Sequence, residues 1–379
     1  MKILLAPDSF KGSLTAIQAA RAMAEGIRDI DPTIETVMLP VADGGEGTMS
    51  SLVGATSGTF VTVSVQDPLG CPIKASYGVL GDGDTCVIEI AEASGLMLLA
   101  EEEKNPLATS TFGTGQLIVH ALDAGLRNFI IGLGGSATND AGAGILQALG
   151  MRLIDATGKE LPQGGGSLKD LHTIDQTNFD KRISESDFLI ASDVENPFVG
   201  PEGASAIFGP QKGASAEMVV MLDDNLTKFA SVVEEVTGIS LYERKGAGAA
   251  GGAGGAFQAF FPGEIKRGIN VVLDAMSFDK QVRDTDLILT GEGRTDKQTL
   301  SGKAPLGIAE VARRQGKPVI LISGAIDEKS RKLLTSIFEE IHAVADGMVS
   351  SKESIDNAGY YLRLKTKSVI GQYITIKKR

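Results

Sequence analysis

Three short glycine-and-acid segments each follow an apolar, strand-like run. DSFKGS (8–13) follows residues 3–6, ADGGEGT (42–48) follows residues 37–39, and GEGRTD (291–296) follows residues 287–289. In a parallel α/β sheet, ligands bind outside the carboxyl ends of the strands. The three segments are therefore expected on one rim, bringing Asp8, Lys11, Asp43, Glu46, Glu292, Arg294 and Asp296 to it. Carboxylates mixed with cations suit a Mg²⁺-bound nucleotide beside an anionic substrate, which outlines a phosphoryl-transfer site.

Further segments could contribute. GLGGSATND (132–140) follows an apolar run at 129–131. Glycines between a strand and a helix let backbone N–H groups face a phosphate, and Ser136, Thr138 and Asn139 can add hydroxyl or amide contacts. GAGAAGGAGG (246–255) reads either as a phosphate contact or as tight helix packing. It lacks the GxGxxG-plus-acid pattern of a dinucleotide site. Asp193 ends a strand at 188–191 and could hold Mg²⁺ or accept a substrate proton, or simply cap a turn. Lys303 precedes a helix, where its charge is unfavourable unless an anion is bound. FGPQKGA (208–214) is a Gly/Pro loop carrying one cation, Lys212.

The elements that must position these groups follow from periodicity. Residues 3–6 form a buried strand. Thr15 and Gln18 make a capping box for a helix whose Ala16, Ala19, Ala20, Met23 and Ile27 share one face. A strand at 37–39 completes a right-handed βαβ unit, with a second helix starting at the DGGEG loop. The pattern then changes to an antiparallel pair, 60–65 and 73–80, around Pro-Leu-Gly. Strands at 86–90, 129–132 and 188–191 and helices at 117–124 and 218–236 follow. The βα alternation resumes near residue 284, with strands at 287–289, 319–322 and 341–344, helices at 306–315 and 329–338, and a helical tail over 352–374.

Two strands from the start and three from the end make a flavodoxin-like parallel sheet of order 2-1-3-4-5. The expected architecture is thus two α/β domains. Residues 1–57 and 284–379 form the flavodoxin-like one, and 58–283 form an inserted mixed α/β domain, with the active site in the cleft between them.

Composition removes several classes. The chain of 379 residues has a net charge of −12 and no extended basic block, so it lacks the cationic footprint of a nucleic-acid binder. Its two cysteines form no CxxC pair and its three histidines no HxxxH pair, which argues against structural zinc and a His-based triad. Residues 246–263 are uncharged but hold no Leu, Ile or Val, a poor membrane span. Residues 3–7 are too short for the apolar region of a signal sequence, so a cytoplasmic protein is expected. GxxxxGK[ST], HRD/DFG and GxSxG are all missing, which excludes P-loop, protein-kinase and nucleophile-elbow chemistry.

Taken in order, APDSFKGS, ADGGEGT, GTGQLI, GLGGSATNDAGAG, DVENPFVGPEGAS, FGPQKGA, GAGAAGGAGGAF and TGEGRTDKQTLSGKAPLG resemble the bacterial glycerate kinases of type I over residues 6–307. Ala141 stands where Gly is usual in that family, and Ser192 where many members carry Cys. The resemblance implies ATP-dependent phosphorylation of D-glycerate to 2-phosphoglycerate, with the 3-phosphate as the alternative product. A nucleotide-independent phosphoglycerate phosphatase or mutase, or a non-catalytic sugar-acid binder, is a rival reading. Within the kinase reading, Asp193 or Asp43 accepts the hydroxyl proton, and Asp296 and Glu292 hold Mg²⁺. Lys11, Arg294 and Lys303 neutralise the glycerate carboxylate and the moving phosphoryl group. Asp8 and Ser9 orient the substrate, while Gly134, Gly135 and Ser136, with Thr138 and Asn139, bind ATP. No nucleic-acid or membrane partner is expected; a homodimer is compatible with the sequence.

Overall fold

The structure, a computed structural model, describes every residue except 43, 46, 298, 300–302, 347, 348, 378 and 379, together with the side chain of Ser351. The chain forms two compact units. One comprises Met1–Asp43, Ser50–Ala55 and Ile269–Arg379; the other comprises Gly44–Met49 and Thr56–Gly268.

The first unit is built on a five-stranded parallel sheet. In spatial order its strands are Glu340–Ala343, Val319–Ser323, Leu287–Thr290, Lys2–Leu5 and Glu35–Met38, the 2-1-3-4-5 order expected from the sequence. Ile3, Leu4, Leu5, Leu287, Ile288 and Leu289 are fully buried, because helices cover both faces of a parallel sheet and leave no polar side. The edge strand Glu35–Met38 is partly exposed and accordingly carries Glu35 and Thr36.

Helix Ala16–Arg28 begins at the capping box. Thr15 Oγ1 accepts from the Gln18 N–H at 3.2 Å, and Gln18 Oε1 accepts from the Thr15 N–H at 2.9 Å. Its buried stripe includes Ala19, Ala20, Met23 and Ile27, the apolar face read from the sequence. The carboxyl-terminal segment packs onto this helix, and Arg363 reaches Asp29 through two hydrogen bonds of 2.8 and 2.9 Å and Glu25 through a third. The tail forms two helices, Ser351–Asp356 and Ala358–Lys377, where periodicity suggested one; Asn357, at φ −128° and ψ 38°, breaks the run.

The second unit holds a six-stranded mixed sheet. Strands Gly263–Lys266, Asp187–Ala191, Asn128–Gly132 and Thr85–Glu89 run parallel, and Pro72–Val79 and Thr59–Gln66 continue the sheet antiparallel. The Gly263–Lys266 edge strand escaped the sequence reading because it is short and alternates charged residues with apolar ones. One core joins this sheet to the long helix Ala216–Thr237 and the small-residue helix Ala253–Phe260 through Phe188, Phe198, Phe229 and Phe257. The helix expected at the DGGEG loop runs over Thr48–Thr56, and Glu46 lies outside the described residues. Among the described residues, no helix is long and apolar enough to cross a membrane.

Candidate active site

In the first unit the strand ends place the loops. Backbone pairing between the two central strands continues past their ends, with Ala6 N donating to Leu289 O and Asp8 N to Gly291 O, both at 2.8 Å. DSFKGS and GEGRTD are thereby held side by side. DSFKGS folds back on itself through Phe10 N to Leu14 O and Leu14 N to Phe10 O, leaving Lys11 exposed at its tip. A third loop closes the group, since Gly324 N donates to Glu292 O and Ala325 N to Gly293 O at 3.0 Å. A Cβ at Gly324 would stand 2.4 Å from the Gly293 carbonyl oxygen, so this approach requires a residue without one.

These loops and the start of helix Ala304–Arg314 surround a cavity of about 380 Å³. Seven of the sequence-predicted residues line it: Asp8, Ser9, Lys11, Glu292, Arg294, Asp296 and Lys303. Three carboxylates and three cations thus share one space. Asp8 is buried and its Oδ1 accepts the Ser9 N–H at 2.6 Å, while Arg294 is exposed.

Glu292 is held by two hydroxyls. It is buried, and its Oε1 accepts from Thr295 Oγ1 at 3.0 Å and Thr299 Oγ1 at 2.5 Å. Ser323 Oγ lies 2.7 Å from Thr295 Oγ1, extending the hydroxyl chain, and the Asp296 N–H donates to Thr299 Oγ1. Burial pushes the Glu292 carboxyl above its ordinary pKa; the two hydroxyls and the Lys303 ammonium pull it down, and Asp296 adds to the upward push. Lys303 occupies the N-cap position without a side-chain cap, its charge set at the positive end of the helix dipole. The sequence alone did not point to Thr295, Thr299 or Ser323; the available signal was Thr295 and Thr299 themselves, close after Glu292 in GEGRTDKQT.

The residue types suit magnesium. Mg²⁺ binds proteins through one or two carboxylates and takes its other oxygens from phosphates and water. Asp296 and Glu292, with Asp8 lining the same cavity, can supply that donor set. Among the described residues, no group of three or more acids, histidines or cysteines is close enough to hold a metal alone.

The remaining predicted residues belong to the second unit, apart from Asp43, which lies outside the described residues. Asp193 is exposed beyond the Asp187–Ala191 strand, and its Oδ1 accepts the Gly268 N–H at 2.9 Å. The 132–140 loop is fixed through its oxygens. Leu96 N donates to Gly135 O, Thr109 Oγ1 to Ala137 O, and Lys212 Nζ to both Ser136 Oγ (2.8 Å) and Thr138 O (2.7 Å). Buried Asp140 accepts from the N–H groups of Thr111, Gly142 and Gly144 and from the Thr111 hydroxyl. By contrast, among the described residues the N–H groups of Gly134, Gly135 and Ser136 have no hydrogen-bond partner.

Thr138 and Asn139 are buried, and Asn139 Nδ2 donates to Ser205 Oγ at 2.9 Å. Thr138 Oγ1 and Asn139 Oδ1 are buried without a partner among the described residues. The 246–255 stretch packs behind this loop: a Cβ on Gly251, whose φ is +65°, would stand 2.0 Å from Thr138 O.

A flavodoxin-like parallel sheet with acids and cations gathered around a cavity beyond its strand ends has the layout of an α/β enzyme. Residues 3–374 match the glycerate kinase family, and the chain belongs to it. The chain is similar to the glycerate kinase of Bacillus subtilis (strain 168), 46% identical over 369 residues, 97% of each chain. It is similar to the glycerate 2-kinase of Escherichia coli (strain K12), 49% identical over 328 residues, 86% of each. Among solved structures, a glycerate kinase 2 from Salmonella typhimurium LT2 superposes with a TM-score of 0.90 at 43% identity, covering all of both chains. The protein is therefore a kinase, with a nucleotide as its second substrate.

Proposed function

We infer that this enzyme transfers the γ-phosphoryl group of ATP to the 2-hydroxyl of D-glycerate, giving 2-phosphoglycerate. The observation that carries the reading is the gathering of Asp8, Glu292 and Asp296 with Lys11, Arg294 and Lys303 around one cavity. Phosphoryl transfer needs positioning and charge compensation more than covalent chemistry from the protein, and this set supplies both. The choice of the 2-hydroxyl is supported by the name of the Escherichia coli relative.

In this reading Lys11 and Arg294 bind the glycerate carboxylate, and Asp8 and Ser9 orient its hydroxyls. Lys303 compensates the charge of the moving phosphoryl group. Asp296 and Glu292 would hold Mg²⁺, which would supply charge to screen the donor phosphates. The unpartnered N–H groups at 134–136 receive donor phosphate oxygens, a role suited to backbone donors between a strand and a helix. Either Asp193 or Asp43 accepts the hydroxyl proton. Turnover of D-glycerate with ATP and Mg²⁺, followed by ADP release, tests the reaction; phosphate release from phosphoglycerate without nucleotide would favour a phosphatase instead.

A further inference from the structure

Lys212 is a charged side chain that the reading above leaves without a task. It sits in FGPQKGA at the end of the short turn Pro210–Lys212 and is 2% exposed. A lysine is almost never buried this fully unless its ammonium is matched by acceptors. Both of its acceptors belong to the 132–140 loop, Ser136 Oγ at 2.8 Å and Thr138 O at 2.7 Å, about 75 residues away in sequence. The Asp140 carboxylate, buried in the same loop, attracts it further. Among the described residues the third ammonium N–H has no partner.

We propose that Lys212 is a positioning residue for donor-nucleotide binding, pinning the oxygens of the 132–140 loop so that the Gly134, Gly135 and Ser136 N–H groups remain ordered donors for phosphate. Two features separate this from ordinary core packing. Gly135 O, Ser136 Oγ, Ala137 O and Thr138 O are bound within the protein while, among the described residues, the three consecutive N–H donors at 134–136 are not, which is the asymmetry an anion site requires. The pinning group also donates two hydrogen bonds of fixed direction to that loop, whereas an apolar residue of that length would only fill the space. The proposal rests on the reading of this loop as the donor-phosphate site.

The test uses the full-length enzyme, with steady-state kinetics in ATP–Mg²⁺ and in D-glycerate separately. Lys212→Met is expected to raise KM for ATP at least tenfold while KM for D-glycerate stays within twofold. Ser136→Ala, which removes one acceptor and is mild enough to fold, should raise KM for ATP about threefold. Once Met occupies position 212, adding Ser136→Ala should change little, because the contact is already gone. Unchanged ATP KM in Ser136→Ala and in any folded Lys212→Met would overturn the assignment, as would equal rises in both KM values. Absence of ATP-dependent turnover in the wild type would instead reject the functional reading beneath it.

Discussion

Asp296 and Glu292 face the same cavity, Glu292 buried and Asp296 partly exposed, and the difference shapes what mutation should do. Asp296→Asn keeps volume but removes the negative charge of that proposed metal ligand. It should lower kcat about a hundredfold, the scale of losing one preorganised electrostatic group, with thermal unfolding nearly unchanged. Thr299→Val removes a hydroxyl that favours the ionised form of Glu292. The Glu292 pKa should then rise further, moving the acid limb of the kcat profile to higher pH, an effect a pH titration of turnover can read. Stability should fall by about 1–3 kcal/mol, since a buried carboxylate oxygen loses one of two donors. Ala141 gives a prediction of opposite sign. It stands at φ +59° in the fully buried turn after Asp140, a left-handed conformation that costs a non-glycine residue about 1–2 kcal/mol. Ala141→Gly should therefore raise the denaturant midpoint, where Ala→Gly elsewhere lowers it.

Elements were the most legible level in the sequence, and the reasons are physical. Central strands buried on both faces must be continuous apolar runs, so residues 3–5, 287–289 and 319–322 announce themselves. Thr15 and Gln18 mark a helix start because their side chains satisfy amides that the helix cannot. The strand Gly263–Lys266 stayed hidden because an edge position tolerates charge, and the break at Asn357 because no proline or glycine signals it. The site was legible where chemistry follows strand ends, as with Asp8 and Arg294. It was not legible where tertiary contact decides: nothing local distinguishes a buried Lys212 from a surface lysine. The 246–255 glycines were ambiguous for the same reason, and the structure gives them a packing role. Gly251→Ala should test it, costing several kcal/mol in chemical unfolding, because backbone strain at φ +65° adds to a forced displacement of Thr138.

For the whole molecule, the first unit depends on both ends of the chain. The sheet takes two strands from residues 2–38 and three from residues 287–343, and the carboxyl-terminal helix buries Leu362, Val369, Ile370 and Tyr373 in a core shared with Ala19, Met23 and Ile27. Deleting residues 358–379 should expose that apolar stripe and abolish cooperative unfolding of this unit, visible as loss of a calorimetric transition. Protonation gives a second global readout. Burial lowers the Lys212 pKa to about 7 from an ordinary 10.5, with Asp140 opposing the shift. Below pH 7 the folded and unfolded chains both hold the proton; between 7 and 10.5 only the unfolded chain does. Wild-type stability should thus rise relative to Lys212→Met across that window, and a flat difference would remove the buried ammonium from the account.

The most direct measurement is the phosphorus and proton NMR spectrum of the product formed from D-glycerate, ATP and Mg²⁺. The account predicts one new phosphate ester, coupled to the proton on carbon 2, appearing in step with ADP. A signal coupled to the carbon-3 protons would contradict the assigned hydroxyl, and ester formation or cleavage without ADP would contradict the phosphoryl-transfer site itself.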